Sequence, residues 1–121
     1  MTAENEKRFL LLMSSFVVGC NATKSKVLDT IENCNWANLS EKDLQVKLNR
    51  NELVWRNDFA FVRKHLEQHG YYVSKIKNNW EITNEGKKEL KRLCNEVTIE
   101  NRFFKVTDQV KATAKDIYPT L

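Results

Sequence analysis

Residues 55–86, WRNDFAFVRKHLEQHGYYVSKIKNNWEITNEG, decide the fold. Apolar side chains recur at Trp55, Phe59, Val62 and Leu66, spaced four, three and four apart, the period of a helix with one buried face. Asn57 or Asp58 supplies an oxygen for the first unpaired N–H groups, and Gly70 after His69 supplies a left-handed stop. A helix is therefore predicted over about residues 57–69. Tyr71–Lys75 and Trp80–Thr83, aromatic and β-branched, flank the turn Ile76–Asn79, where Asn tolerates the positive φ that Gly usually takes in a tight hairpin. Thr83 caps another helix, with Gly86 in its first turn. Helix, stop, hairpin and renewed helix are the helix-and-wing half of a winged helix-turn-helix, in a mainly α domain with a small β-hairpin.

At roughly 100° per residue, Asn57, Ala60, Phe61, Lys64 and Gln68 fall opposite the buried stripe, with Arg56 and Arg63 on its flanks. Lys75, Lys77 and Asn78 lie at or near the wing tip. Amide and cationic groups suit base edges and phosphates of double-stranded DNA. Asn57, Phe61, Lys64 and Gln68 are expected toward bases, and Arg56, Arg63, Lys75 and Lys77 toward phosphates, with Asn78 a further DNA-binding candidate in the wing turn. Phe61, exposed on this wheel beside Asn57, suits contact with the methyl group of thymine or of a methylated base.

The string Trp55-Arg56-Asn57, Phe61, Leu66, Gly70, then Trp80-Glu81-Ile82-Thr83 and Gly86 resembles the amino-terminal winged-helix domain of Mrr-type restriction-system proteins. The likeness is specific over residues 55–86 and extends more loosely over 4–92. Phe61 stands where that family usually has Trp, which implies a second reading of Phe61, as a structural residue packed against the short preceding helix; the wing lacks the family's usual Gly. The resemblance implies a domain that reads DNA sequence or a modified base and targets a nuclease, fused or separate, not contained in this chain.

Charge distribution points the same way. The net charge is +4 over 121 residues, yet residues 42–92 hold 12 Lys and Arg against 7 Asp and Glu, while the remainder holds 8 against 9. The positive excess thus lies in the winged half, as a polyanionic partner would require. One Pro and three Gly argue against an all-β fold rich in tight turns and against a disordered chain.

Around the central stretch, a first helix is expected over 4–18, with Phe9, Leu12, Met13 and Phe16 on one face, and a second over about 24–36, capped by Asn21 or Thr23 and buried at Val27, Leu28, Ile31 and Cys34. Lys24 and Lys26 crowd its first turn against the helix dipole. Ser40-Glu41-Lys42-Asp43 reads as a capping box opening a short helix to Leu48, with Leu44 and Leu48 inward; Asn49–Leu53 is a loop. Asn84–Phe104 is expected as one long amphipathic helix. Residues 1–104 would form the DNA-binding domain and 105–121 a helical tail or linker with Val106, Val110, Ala114 and Ile117 on one side. That stripe suits packing on the domain, a homodimer seam or a lead into a further domain.

No apolar run approaches the ~20 residues of a membrane span, and Glu4 and Glu6 precede the run Phe9–Met13 without a signal-type cleavage site. A cytoplasmic protein is expected. Cys20, Cys34 and Cys94 cannot all pair within one chain, which fits free thiols in a reducing compartment. No phosphate-binding loop, dinucleotide turn, nucleophile elbow or metalloprotease motif occurs, and paired carboxylates with a sheet Lys are missing, so no enzymatic activity and no cofactor are expected. His65 and His69 share a helix face, but four ligands at zinc-site spacing do not accompany them, and no metal is expected. The competing class is a protein-interaction or dimerisation module, with a transcription regulator as a third reading.

Overall fold

The computed structural model describes residues 4–49, 51–97 and 106–121. The expected continuation of the last long helix to Phe104, and the domain boundary at 104, lie outside the described residues. Five α-helices and three short strands occur among them: α1 Glu4–Val17, β1 Asn21–Thr23, α2 Lys24–Asn33, α3 Val54–Gln68, β2 Tyr72–Val73, β3 Asn79–Ile82, α4 Asn84–Asn95 and α5 Asp108–Ile117. The chain is mainly helical, with one small antiparallel sheet in the order β1-β3-β2.

Helix α1 is the centre of the core. Residues Phe9 to Met13 are all fully buried, so the helix is enclosed on every side rather than along one stripe, as a helix with apolar residues all round must be. Its two following serines are buried as well and bind outward: Ser14 Oγ donates to the Val27 carbonyl of α2 at 2.7 Å, and Ser15 Oγ lies 2.6 Å from Tyr72 Oη. Tyr72 Oη also donates to the Leu11 carbonyl at 2.9 Å. Burial holds the Tyr72 phenol well above its ordinary pKa. On the far side, buried Glu89 of α4 meets Arg8 at 3.6 Å and Arg92 at 2.5 Å.

The sheet faces α1 through alternate residues. In β3, Trp80 and Ile82 are buried while Asn79 and Glu81 are not; the register places Ala22 opposite Trp80 and Tyr72 opposite Ile82, and both are buried. Asn21–Thr23, expected only to cap the second helix, also forms strand β1, paired antiparallel with β3. Thr23 still caps α2, its Oγ1 accepting from Lys26 N at 3.2 Å.

Helix ends follow the local chemistry. After α3, Gly70 takes φ +83°; Tyr71 N donates to Leu66 O at 2.9 Å and Gly70 N to Glu67 O at 3.0 Å, a paired closure of orphan carbonyls. Helix α2 stops at Asn33 rather than 36 because Asn35 takes the left-handed turn at φ +57°. Cys34 therefore sits half-buried at the cap, not within the helix, whereas Cys94 is fully buried.

Three further expectations are corrected. The start of α3 is Val54, with Leu53 at the cap position and no side-chain cap bond, so Asn57 and Asp58 lie inside the helix and Trp55 opens its buried stripe. Ser40 and Asp43 do bond reciprocally, at 2.9 and 3.3 Å, but no helix follows. Residues 45–47 and 52–54 instead pair as the arms of a narrow hairpin, with Val46 bridged to Leu53, Lys47 N to Glu52 O at 2.8 Å and Val54 N to Gln45 O at 2.8 Å. Leu44 and Leu48, expected inward, are 50% and 87% exposed. Asn49, at φ +68°, turns the chain there, which a helix could not accommodate.

The tail packs on the domain: Val110 and Ala114 of α5 are fully buried, with Thr107 capping the helix. Pro119 lies in a 3-10 turn, Tyr118–Thr120, that follows α5. The structure therefore spends the apolar stripe of the tail within the chain.

Candidate nucleic-acid interface

Helix α3 buries Trp55, Phe59, Val62 and Leu66 against the core, which turns its opposite face outward. Phe61 is 61% exposed, and Lys64 and Gln68 are exposed beyond it. The ring of Phe61 lies edge-on to His65 of its own helix, at 4.6 Å between centroids. The reading of Phe61 as packed against a preceding helix fails, because no helix stands there. His65 Nδ1 lies 3.5 Å from Glu4 Oε1. Among the described residues, no three His, Cys, Asp or Glu gather to hold a metal ion.

Asn57 is half-buried on the same face, and its Oδ1 accepts from Lys47 Nζ at 3.0 Å. Lys47 comes from the 45–54 hairpin. Together with Glu4, Lys7, Asp58 and Phe61 these residues line an open groove of about 470 Å³. Sequence reasoning missed Lys47, Lys7, Glu4 and Asp58. Gln45-Val46-Lys47, then Asn49 and Asn51, then Leu53-Val54 is a β-type pattern around turn residues, and reading it as a hairpin would have placed Lys47 beside the start of α3.

The two arginines beside α3 are engaged internally. Arg56 reaches back to α2, 2.6 Å from Asp29 and 3.4 Å from Glu32, with its guanidinium 4.8 Å from the Trp55 ring centroid. Arg63 pairs with Glu67 and lies 5.2 Å over the Trp80 ring. Both side chains are 19% exposed. A planar cation stacked on indole and held by a carboxylate is a fixed structural element.

The β2–β3 hairpin carries exposed cations. Lys75 is 70% exposed, with Glu81 at 3.6 Å, and Lys77 is exposed at the tip. Asn78 takes φ +66°, as expected of the Gly-like turn position, and its carbonyl accepts from Lys24 N at 3.0 Å. That bond anchors the hairpin to the start of α2. Of the two lysines crowding the start of α2, Lys24 finds an anion: its Nζ lies 2.5 Å from Glu52 of the 45–54 hairpin.

Gly86 explains how the hairpin is seated. A Cβ there would fall 2.3 Å from the Tyr71 carbonyl oxygen and 2.7 Å from Ile82 Cγ1. Thr83 reinforces the joint, its hydroxyl donating to Gly70 O at 2.6 Å and accepting from Gly86 N at 3.0 Å.

The geometry defines a mainly helical domain in which one helix offers an open amide, aromatic and cationic face, flanked by two hairpins. The Mrr N-terminal domain family matches residues 7–92, and the chain belongs to that family, which ties it to restriction-system proteins. No curated protein and no solved structure matches it. No helix among the described residues is long and apolar enough to cross a membrane.

Proposed function

We propose that this chain is a winged-helix, DNA-reading domain of a restriction system: α3 enters the major groove and the β2–β3 hairpin follows the adjacent backbone. The observation that carries the reading is the outward face of α3, where Asn57, Phe61, Lys64 and Gln68 stand in line beside the exposed Lys75 and Lys77. Amides and an aromatic ring suit base edges and methyl groups, and lysines suit phosphates. In this reading Arg56 and Arg63 orient α3 rather than grip phosphate, because each is already bound to carboxylates and indole. The chain binds and does not cleave; the nuclease is another domain or subunit, and the domain works in the cytoplasm.

Fluorescence anisotropy with short duplexes, unmodified or carrying 5-methylcytosine or N6-methyladenine, at two salt concentrations, tests this. Binding that weakens with salt supports the basic face, and preference for one modified duplex supports a modification reader. Absence of binding at low salt refutes the reading. A second reading, a protein-interaction module, draws on the exposure of Leu44, Val46 and Leu48, and would then be pursued by sizing at two concentrations.

A further inference from the structure

We propose that Lys47 is a positioning residue that makes Asn57 select a keto base edge, guanine or thymine, over the amino bases adenine and cytosine; this rests on the DNA-reading function above. An ammonium carries three donors and no acceptor, so the bond from Lys47 Nζ to Asn57 Oδ1 at 3.0 Å fixes which end of the amide faces the hairpin. Turned the other way, the amide would set its own N–H groups against the ammonium. The NH2 end is therefore the end left for a ligand.

Lys47 is itself held in place. Its backbone N–H donates to Glu52 O at 2.8 Å, and the adjacent Val46 pairs with Leu53, immediately before α3. Asn57 is the fourth residue of α3, near the N-terminal end from which a recognition helix touches base edges.

A free amide pairs with adenine by accepting from N6 and donating to N7. Here the accepting oxygen is already bound to a cation, so an exocyclic amino group on adenine or cytosine would have to share it. Guanine O6 and N7, or thymine O4, are acceptors; they meet the amide N–H groups and the remaining N–H groups of Lys47. The groove fits a base edge better than a phosphate, because Glu4 and Asp58 stand in it beside Lys7 and Lys47. In water an exposed bond of this kind is weak. On DNA, with water displaced, an unpaired donor is penalised and the orientation decides.

The test is selection from a pool of duplexes with a randomised core, using the wild-type chain and the variants Lys47→Arg, Lys47→Met and Asn57→Ala. Asn57→Ala identifies the position concerned as the one whose preference it flattens. There the wild type and Lys47→Arg, which also has donors only, should enrich guanine or thymine by roughly tenfold, the discrimination typical of a well-placed contact. Lys47→Met should lose that preference and admit adenine, with thermal melting unchanged because the side chain is exposed. Adenine enriched by the wild type, or an unchanged ratio in Lys47→Met, overturns the inference while DNA binding stands. Binding with no base preference does the same. Failure of the wild type to bind any duplex overturns the DNA-reading function and this inference with it.

Discussion

Replacing Gly86 by Ala should destabilise the domain, against the usual sign of such a change. In a helix, Gly→Ala ordinarily stabilises by up to about 1 kcal/mol, and Gly86 needs no left-handed backbone, since it lies in the first turn of α4. The added Cβ would however stand 2.3 Å from the Tyr71 carbonyl oxygen, where real contacts stay above 3.0 Å; one of the two backbones must move by about 0.7 Å. That carbonyl also accepts from Thr83 N at 3.0 Å, so the movement strains the bond that seats the hairpin against α4. Overpacking costs about 1–3 kcal/mol and the weakened bond about 1 more, offset by up to about 1 of helix propensity, a net loss of roughly 1–4 kcal/mol. For a chain of 121 residues the unfolding entropy is about 0.25 kcal/mol per kelvin. The midpoint should fall by roughly 4–16 °C in a thermal melt followed by circular dichroism. A midpoint within 2 °C of wild type, or above it, would refute the close approach of α4 to Tyr71.

The cations should separate by role. Lys64→Ala and Lys75→Ala should each lower duplex affinity and flatten the log–log salt slope by about 0.9, with melting unchanged. Arg56→Ala should leave the salt slope intact but lower stability by about 1 kcal/mol, a modest loss expected for a partly buried pair, as read by urea denaturation. Tyr72→Phe removes the hydroxyl shared by Leu11 O and Ser15 and should cost about 1–2 kcal/mol. Alkaline pH should destabilise the wild type: Tyr72 is held above its ordinary value of 10.0, and burial pushes the Cys94 thiol from 9.0 up to about 12. Both groups ionise more readily in the unfolded chain, so their contribution is complete below about pH 9 and is lost as pH rises past it. Denaturant midpoints at pH 8 and pH 10.5 check this, and Tyr72→Phe should show the shallower decline; equal declines would remove Tyr72 from the account.

The buried stripe of α3, its Gly stop and the hairpin after it were legible because each rests on local chemistry. A helical period, a residue tolerant of positive φ and paired aromatic strands leave marks within a few residues of one another. The same holds for the Thr23 and Thr83 caps. The 45–54 hairpin was misread because Ser40 and Asp43 do form the local bonds that begin a helix, and the sequence around Leu44 and Leu48 has helical spacing; the turn at Asn49 and the ladder to Leu53 prevail. Strand β1 was missed because three residues carry no period. Its structure comes from β3, almost sixty residues away.

On the candidate site, the sequence alone determined which face of α3 is outward, since burying Trp55, Phe59, Val62 and Leu66 leaves Phe61, Lys64 and Gln68 no other direction. Which charges on that face remain free was decided by tertiary structure. Arg56 and Lys64 look alike in the chain, but Arg56 finds Asp29 and Glu32 across a helix contact and Lys64 does not. Likewise Asn57 acquires its orientation from Lys47, ten residues earlier on another element. Backbone propensity and periodicity act over one or two turns and are written locally; electrostatic pairing acts between whichever groups the fold brings within a few ångströms, and no local pattern records it.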